Sequence, residues 1–240
     1  MDKIRQLQDM INESNRIVFF GGAGVSTESN IPDFRSADGL YKQKYRYSPE
    51  QIVSHSFFMQ HTEEFYDFYK NKMIFLDAKP NKAHLKLAEM ERAGKLSAIV
   101  TQNIDGLHQA AGSKNVFELH GSVHRNYCQK CGKFFDVNYV VNAKGVPYCD
   151  ECGGIIKPDV VLYEEGLDSQ TINGAVRAIS KADMLIIGGT SLVVYPAAGM
   201  IDYFKGKYLA VLNRDATSRD KQADLCITDP IGEVLGRIRV

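Results

Sequence analysis

Four cysteines, arranged as two close pairs, constrain this chain more than any other feature of its sequence. Cys128 and Cys131 form the first Cys-x-x-Cys pair, and Cys149 and Cys152 form the second after the intervening residues 132–148. Each pair can present two thiolates from one tight turn, and two such turns close a tetrahedral four-cysteine site of the zinc-ribbon type. We therefore predict one structural Zn²⁺ ion. Because four thiolates leave no open coordination position, this ion should take no part in chemistry.

The composition supports a metal site and limits the class of protein. A redox pair or free thiols would need only one Cys-x-x-Cys. A disulfide framework is disfavoured, because the five cysteines are an odd number and the N-terminus lacks the apolar core of a signal peptide. The formal net charge is zero, so we expect no nucleic-acid or membrane partner. No apolar run approaches the ~18 residues of a membrane span. We expect a cytoplasmic, monomeric, globular protein.

Short apolar runs alternate with amphipathic helical patterns along most of the chain. This alternation predicts an α/β fold built on a doubly wound, Rossmann-like parallel sheet. The predicted strands are 17–20, 98–101, 116–119, 159–163, 184–187, 208–212 and 225–227. The predicted helices are 2–14, 50–60, 62–76, 81–93, 106–111, 169–181, one that starts with Pro196 at its first position, and one from about residue 231.

Polar side chains follow two neighbouring predicted strands. Gln102, Asn103 and Asp105 come directly after the second strand, and His120 comes directly after the third. Ligands of open α/β sheets bind at the carboxyl ends of the strands, so these four residues are candidates for a functional site. The structural alternative is that the asparagine and aspartate cap the next helix and that the histidine is a core residue.

A glycine-rich turn follows the first predicted strand. Glycines at 21, 22 and 24 would let the backbone approach a ligand, and a helix N-terminus after them would bind phosphate. The spacing is not Gly-x-Gly-x-x-Gly, because Thr27 stands at the sixth position, and no clear acidic candidate follows about 20 residues on. A standard dehydrogenase is therefore disfavoured. The tyrosine-rich segment 36–48 is expected to be an ordered loop that closes over something.

In this order, the motifs resemble those of the sirtuin family of NAD-dependent protein deacylases. The resemblance spans nearly the whole chain and includes both cysteine pairs. The other matching pieces are 22–27 (GAGVST), 31–35 (IPDFR), 101–108 (TQNIDGLH), 118–121 (ELHG), 189–192 (GTSL) and 212–213 (LN). It implies an NAD-dependent protein-lysine deacetylase that transfers the acetyl group to ADP-ribose and releases nicotinamide and O-acetyl-ADP-ribose.

The resemblance also implies how the chain is divided. Residues 1–240 would form one catalytic unit. Its Rossmann-like large domain would comprise about 1–35, 80–123 and 158–240. A small domain would combine a helical insert, about 36–79, with the zinc module, about 124–157.

Site residues follow from the resemblance position by position. His120 would be the general base, and Asn103 would be a second catalytic residue that positions the nicotinamide ribose. An acetylated-lysine peptide would lie between two edges that include Val160, Val161, Tyr163 and Val193. The implied NAD-binding residues are Ala23, Thr27, Phe34, Arg35, Gln102, Ile104, Asp105, Thr190, Ser191, Asn213 and, at the adenine, Ile227 or its neighbour Cys226.

The chain departs from the family pattern at three places. Asn30 stands where a glycine usually lies two residues before Pro-Asp-Phe-Arg, and asparagine tolerates a left-handed backbone. Glu164 replaces the glycine of the family's Phe-Gly-Glu, which puts the turn at the mouth of the acyl-lysine tunnel in question. Members that prefer succinyl-lysine carry Tyr-x-x-Arg, whereas this chain has Tyr66 and Tyr69. We therefore predict a preference for neutral acyl groups such as acetyl.

Three other functions stay open on the sequence. Mono-ADP-ribosyl transfer or NAD hydrolysis would use the same pocket. A non-catalytic NAD or ADP-ribose sensor would be favoured if His120 or Asn103 were missing, and both are present. A zinc-ribbon nucleic-acid module needs a basic, aromatic surface, which a chain of zero net charge with dispersed lysines does not supply.

Overall fold

The computed structural model describes residues 2–33 and 46–240. Among these residues the α-helices are Lys3–Glu13 (α1), Pro49–Ile52 (α2), His55–Gln60 (α3), Thr62–Lys72 (α4), Lys82–Arg92 (α5), Leu107–Ala110 (α6), Val137–Asn142 (α7), Ser169–Lys181 (α8) and Ile231–Gly236 (α9). The strands are Ile17–Gly21 (β1), Leu96–Thr101 (β2), Val116–Glu118 (β3), Gly121–Cys128 (β4), Phe134–Asp136 (β5), Ile156–Val160 (β6), Met184–Gly188 (β7), Tyr208–Leu212 (β8) and Leu225–Ile227 (β9). None of these described helices has both the length and the apolar character that a membrane crossing requires.

The larger sheet confirms the predicted doubly wound architecture. Its six described strands are parallel and run in the order β3-β2-β1-β7-β8-β9. Strand β1 is central, and Phe19 pairs with Ile99 of β2 on one side and with Ile186 of β7 on the other. The chain therefore winds outward in two directions from β1. A crevice is expected at this switch point, at the carboxyl ends of the strands.

Both faces of this sheet are covered by apolar side chains. Phe19 belongs to the core that packs against α1, α5 and α9, whereas its neighbours Val18 and Phe20 belong to the core on the opposite face, which includes Ala175 and Ile179 of α8. All three strand residues are fully buried. Continuous apolar runs like this one are typical of parallel strands covered on both sides, which is why the sequence predicts this sheet well.

A second, antiparallel sheet has the order β5-β4-β6 and carries the cysteine pairs. Its core is shared with the short helices α2–α4: Phe58 and Phe65 of the helical insert pack in one cluster with Phe135 and Ile156 of the zinc module. Neither part has a sufficient core alone. We propose on this basis that the helical insert and the zinc module form one small domain, close to the predicted boundaries.

Several predicted helices are shorter than expected or of a different type. The helix predicted over 50–60 is broken into α2 and α3, because the Ser54 hydroxyl accepts a hydrogen bond from Phe57 N (3.2 Å) and starts a new helix. The helix predicted over 62–76 ends at Lys72. Pro196 precedes a 3-10 helix, Ala197–Tyr203, rather than an α-helix. Residues after the glycine turn form two 3-10 turns, so no α-helix N-terminus faces a ligand there.

The strand predicted over 159–163 was wrong in both extent and partner. The strand is β6, which ends at Val160 and belongs to the antiparallel sheet. The chain leaves it because Tyr163 pairs with Ser54, outside either sheet. An apolar run shows that a strand is buried, but it does not show which sheet the strand joins. The predicted loop 36–48 lies mostly outside the described residues.

Candidate active site

The turns that follow β1 and β7 touch each other and form the floor of a cleft. Gly24 N donates a hydrogen bond to Gly189 O (2.8 Å). A Cβ on Gly24 would lie 2.8 Å from Gly189 Cα, and one on Gly189, whose φ is +58°, would lie 2.3 Å from Val25 N. Glycine is therefore required at both positions. The contact joins two main-chain turns at the switch point of the sheet.

Ser26 holds two predicted site residues together. Its hydroxyl donates to Asp105 Oδ2 (2.6 Å) and accepts from Asn103 Nδ2 (3.1 Å). Ser26 is fully buried, so these bonds are protected from water. The other oxygen of Asp105 accepts from Leu107 N (2.9 Å) at the start of α6. The aspartate therefore satisfies the helix start, as the structural alternative expected, and also contacts the cleft.

A second set of hydrogen bonds crosses the ends of four strands. Gln102 Nε2 donates to Thr190 Oγ1 (3.0 Å), and Thr190 N donates to Asn213 Oδ1 (2.9 Å). Asn213 N in turn donates to Ile227 O (3.0 Å). These bonds connect the carboxyl ends of β2, β7, β8 and β9, so one polar edge runs along the cleft on both sides of the switch point.

His120 lies just after β3 and lines the same cleft. Its Nδ1 is 3.0 Å from Gln102 O. A carbonyl oxygen can only accept, so Nδ1 carries the hydrogen and Nε2 keeps its lone pair. Burial lowers the pKa of His120 below the usual histidine value, and the bond to the Gln102 carbonyl opposes this only in part. A neutral imidazole with one fixed tautomer is suited to act as a base.

The cleft has a volume of about 610 Å³, a size typical of small-molecule sites. It brings together most of the residues predicted from the sequence. Those that line it are Ala23, Thr27, Gln102, Asn103, Ile104, Asp105, His120, Val160, Val161, Tyr163, Thr190, Ser191 and Asn213. Phe34 and Arg35, predicted at the nicotinamide and the phosphates, lie outside the described residues.

Two predicted residues do not line the cleft. Ile227 is 1% exposed and packs in the core, while the next residue, Thr228, lines the cleft. Ile227 is the last residue of β9, and adjacent residues of an extended chain face opposite ways. Val193 is 56% exposed and does not line the cleft, whereas Val194 does. The roles of Ile227 at the adenine and of Val193 at the peptide therefore stay predictions, with Thr228 and Val194 as the neighbours that line the cleft.

The cleft also contains residues whose contacts were not predicted. Ser26 lay inside a matching motif, but its partner Asp105 is far away in the sequence, so its hydrogen bonds could not be foreseen. Met73 and Phe75, after the end of α4, line the cleft without a signal in the sequence. Tyr195, which is 72% exposed, also lines it and ends the segment 192–195 that the resemblance implies as the second peptide edge.

The predicted peptide-binding edge continues from β6. Val161 N donates to His120 O (3.0 Å). The main chain of Tyr163 is already paired, because its N donates to Val53 O (2.9 Å) and its O accepts from His55 N (2.9 Å). The main-chain N–H of Tyr163 is therefore not available to a peptide, whereas its carbonyl oxygen keeps a second lone pair. Its side chain lines the cleft and is 38% exposed.

The departures from the family pattern have clear structural outcomes. Asn30 and Glu164 both adopt the left-handed conformation, with φ of +62° and +76°. The first confirms the expectation for asparagine. Tyr66 and Tyr69 are fully buried in the core of the small domain and do not line the cleft. Lys72, further along α4, does line it, so the preference for neutral acyl groups stays a prediction.

The four predicted metal ligands meet at one point. Their sulfur atoms all lie within 4.8 Å of one another, with Cys128 Sγ 3.4 Å from Cys152 Sγ and Cys131 Sγ 3.7 Å from Cys149 Sγ. Tetrahedral zinc with Zn–S bonds of about 2.3 Å separates its sulfur ligands by about 3.8 Å. The arrangement therefore fits one structural zinc ion with a closed ligand shell, and it lies in the small domain rather than in the cleft.

Two further histidines are buried side by side away from the cleft lining. The rings of His84 on α5 and His108 on α6 are 4.8 Å apart, and at most 1% of either residue is exposed. Among the described residues, His84 Nε2 and both nitrogens of His108 have no hydrogen-bond partner. Burial lowers the pKa of His84 to about 4, against the opposing charge of Asp105, and that of His108 to about 3. Both are neutral at pH 7.

A nucleotide fits a crevice floored by glycine turns at a switch point, and a neutral base stands beside it. The fold and cleft thus define a Rossmann-like, nucleotide-binding enzyme with a zinc-stabilised small domain. The Sir2 family model matches residues 22–196. The chain belongs to the Sir2 family, which confirms the resemblance drawn from the sequence.

Relatives and solved structures agree with this assignment over nearly the whole chain. A protein from Clostridium acetobutylicum named NAD-dependent protein deacetylase is 65% identical over 98% of this chain and 97% of its own. A protein of the same name from Cutibacterium acnes is 52% identical over 98% of this chain and 96% of its own. A solved Sir2–p53 peptide–NAD⁺ complex has a TM-score of 0.88 and 40% identity, covering 98% of this chain and 96% of the other.

Proposed function

We propose that this chain is an NAD-dependent protein-lysine deacetylase. The observation that carries the proposal is His120, a neutral base of fixed tautomer at the wall of a cleft whose glycine floor suits a nucleotide. Relatives that cover nearly the whole chain carry this name. A similar solved structure is a complex with a p53 peptide and NAD⁺.

The residues of the cleft fit NAD. The contact of Gly24 with Gly189 excludes any Cβ at either position, so the two turns stay open to a phosphate-sized group. We assign the pyrophosphate to the turn that carries Ala23 and Thr27, and the adenosine half to the edge of Thr190 and Asn213. Ser191 lies on the same edge. The predicted roles of Phe34 and Arg35 at the nicotinamide and the phosphates stay part of this proposal.

The nicotinamide end belongs near the Ser26 network. Asn103 and Asp105 are held there by buried hydrogen bonds, and Ile104 between them lines the cleft. Fixed polar groups cost no reorganisation when they bind a polar group of the substrate. We therefore assign the carboxamide to Asp105 and Ile104, and the adjacent ribose to Asn103 and Gln102.

NAD supplies a ribose that accepts the acetyl group, with nicotinamide as the leaving group. The part of this chain is to hold the two substrates together, to keep water out until nicotinamide has left, and to move a proton; one water molecule then completes the release of lysine. His120 Nε2 takes a proton from a ribose hydroxyl, and the imidazolium that forms is stabilised by the Gln102 carbonyl at Nδ1. The peptide lies along the edge of Val160 and Val161, with Tyr195 on the opposite side.

The zinc ion has a structural role in this proposal. It closes the small domain, whose β4 starts one residue after His120. The ion therefore affects the reaction only by keeping the wall of the cleft in place. We also propose that the protein acts as a monomer and, because its formal net charge is zero, that it binds no nucleic acid. Light scattering and a salt-dependent binding assay with duplex DNA would test these two points.

The experiment that tests the function is mass spectrometry of an acetyl-lysine peptide incubated with the protein, with and without NAD. We expect loss of the acetyl group only with NAD. The variant His120→Ala should lose at least about 10²-fold in rate while it keeps the melting temperature of the wild type. Normal turnover by His120→Ala would remove His120 as the base. An acetyl group that stays in place while NAD is consumed would contradict the substrate assignment.

A further inference from the structure

We propose that Glu164 is a positioning residue that fixes the peptide-binding edge by bonding it to helix α3. This inference rests on the proposed deacetylase function. Glu164 follows directly after Tyr163 and lines the cleft. It stands where the family has glycine, so the role belongs to this chain rather than to the family pattern. Three observations carry the proposal: the backbone conformation of Glu164, the partners of its carboxylate, and the place of both beside the peptide edge.

The backbone of Glu164 is in a conformation that its side chain disfavours. Its φ is +76°, in the left-handed region that costs a residue with a Cβ about 1–2 kcal/mol. Asn30 also has a positive φ, but asparagine tolerates it far better. A disfavoured conformation persists only where the surrounding contacts stabilise it. For Glu164 those contacts should come from its side chain, because the peptide turn itself would favour glycine.

The carboxylate of Glu164 bonds to the first turn of α3. Its Oε2 accepts from Ser56 N (2.8 Å) and its Oε1 accepts from Ser56 Oγ (3.0 Å). Among the described residues it makes no ion pair with a lysine, arginine or histidine. The first-turn N–H groups of a helix have no partner within the helix and favour a nearby negative charge. These are therefore charge-assisted bonds, at a solvent-exposed position, between the edge and the small domain.

The other first-turn N–H groups of α3 show that the helix start is built around this edge. His55 N donates to Tyr163 O (2.9 Å), while Phe57 N donates to Ser54 Oγ (3.2 Å) and Phe58 N to Ser54 O (3.0 Å). With Ser56 N bonded to Glu164, all four groups have partners, and two of the partners belong to residues 163–164. The edge and the helix start therefore move together.

The bonds should affect the peptide and not NAD. Residues 160–164 line the side of the cleft where the peptide is proposed to lie. The residues assigned to NAD that the structure describes instead follow β1, β2, β7 and β8 of the larger sheet, and no hydrogen bond joins any of these described residues to Ser56 or Glu164. The main-chain bonds of Tyr163 and the bond between His55 Nδ1 and Glu165 Oε1 (2.8 Å) would remain. Loss of the Glu164 carboxylate should thus loosen the edge, so that the peptide binds more weakly while NAD binding is preserved.

The test is steady-state kinetics with an acetyl-lysine peptide and NAD, varied separately, on the whole protein. We expect Glu164→Ala to raise the KM for the peptide about tenfold, the equivalent of one charge-assisted hydrogen bond. The kcat and the KM for NAD should stay within about twofold of the wild type. The peptide KM of Glu164→Gln should lie between those of the wild type and of Glu164→Ala, because its amide oxygen can still accept from Ser56 N. Glu63→Ala, which removes an exposed carboxylate from the neighbouring α4, is the matched control and should behave as the wild type.

Glu164→Gly separates the side chain from the backbone. Glycine relieves the left-handed strain, so this variant should melt higher than Glu164→Ala and yet show the same raised peptide KM. If Glu164→Ala does not fold, the glycine and glutamine variants still decide the question. An unchanged peptide KM in folded variants, or an equal rise of both KM values, would overturn the inference and leave the deacetylase function standing. A wild type without NAD-dependent deacetylation would overturn both.

Discussion

The two sheets of this molecule keep their structure by different means. The larger sheet is parallel and buried on both faces, so its stability is spread over many apolar residues. The smaller sheet is antiparallel, shares its core with short helices, and depends on four cysteines at one point. The cleft lies where they meet, at His120 between β3 and β4. The reactive groups therefore lie on the sheet with the larger apolar core, whereas one wall of the cleft depends on a metal.

The junction between the sheets is narrow and is fixed by close contacts. Gly121, directly after His120, has a φ of +75°, and a Cβ there would lie 1.9 Å from Asp159 O. Arg125 of β4 bonds to Glu118 of β3 (2.7 Å) and to Asp159 of β6 (2.7 Å). Glu118 is largely buried, so its bond to Arg125 is the better protected of the two. The base is therefore positioned by the larger sheet, while the chain after it is held by the smaller one.

The largest effect should come from breaking the metal site. Cys128→Ser should lower zinc content and melting temperature together, because a structural zinc site contributes folding free energy directly. The matched control is Cys226→Ser, which changes a cysteine of the larger sheet and should leave zinc content unchanged. Zinc analysis and calorimetry on both variants provide the comparison. A Cys128→Ser variant with an unchanged melting temperature would contradict the dependence of the small domain on zinc.

The next largest effect should be a loss of stability caused by a substitution at Gly121, in the junction between the two sheets. Gly121→Ala introduces a Cβ that meets a backbone oxygen in a left-handed turn, and we expect a loss of about 3 kcal/mol in the free energy of unfolding. Gly145→Ala is the control, because Gly145 has a φ of +66° but nothing lies within 4 Å of its Cβ position. Its loss should be about 1 kcal/mol. Denaturant unfolding measures both, and equal losses would show that close contact at the junction is unimportant.

A smaller effect is the loss of folding stability at acid pH, which tests two histidines buried beside the larger sheet. His84 and His108 have pKa values of about 4 and 3 when folded, below the 6.5 of an ordinary histidine. The unfolded chain therefore binds more protons, and stability falls as the pH drops below about 6.5, continuing until the folded values are reached. Each histidine can contribute up to about 1.4 kcal/mol per pH unit. Unfolding measured between pH 7 and 5 should show a shallower slope for His108→Phe, and an equal slope would exclude His108 as a source of the slope.

The smallest effect is the preference for one acyl group over another, which tests the side of the cleft formed by the small domain. We expect the kcat/KM for an acetyl peptide to exceed that for the succinyl peptide by about tenfold, because an unpaired carboxylate is costly to bury. Lys72→Met should widen this ratio by removing the cation that α4 places in the cleft. A succinyl peptide that reacts as fast as the acetyl one would contradict the predicted preference, and loss of that reaction in Lys72→Met would identify Lys72 as the group that receives the acid.

Local signals explain why much of the molecule could be predicted. Strand β8, strand β9 and helix α8 cover the same residues as predicted, because continuous apolar runs and helical periodicity are properties of the sequence itself. The cysteine cluster followed from spacing alone. His120 and its neighbours were found because polar residues after buried strands collect at one edge of a parallel sheet.

The features that were missed depend on contacts between distant parts of the chain. The bond of Ser26 to Asp105 and the contact between the rings of His84 and His108 join residues far apart in sequence, so no local pattern shows them. Strand β6 was placed in the wrong sheet for the same reason. The break between α2 and α3 had a local signal in Ser54, a good N-cap residue, but the apolar pattern across it suggested one helix.

The stoichiometry of the reaction shows whether this chain couples deacetylation of lysine to the consumption of NAD. The wild type is incubated with an acetyl-lysine peptide and NAD. The deacetylated peptide, nicotinamide and O-acetyl-ADP-ribose are then quantified by mass spectrometry in one sample. NAD-dependent deacetylation predicts equal amounts of the three products, and none of them when NAD is left out. Nicotinamide released without deacetylated lysine, or ADP-ribose that carries no acetyl group from the first turnovers onward, would contradict it.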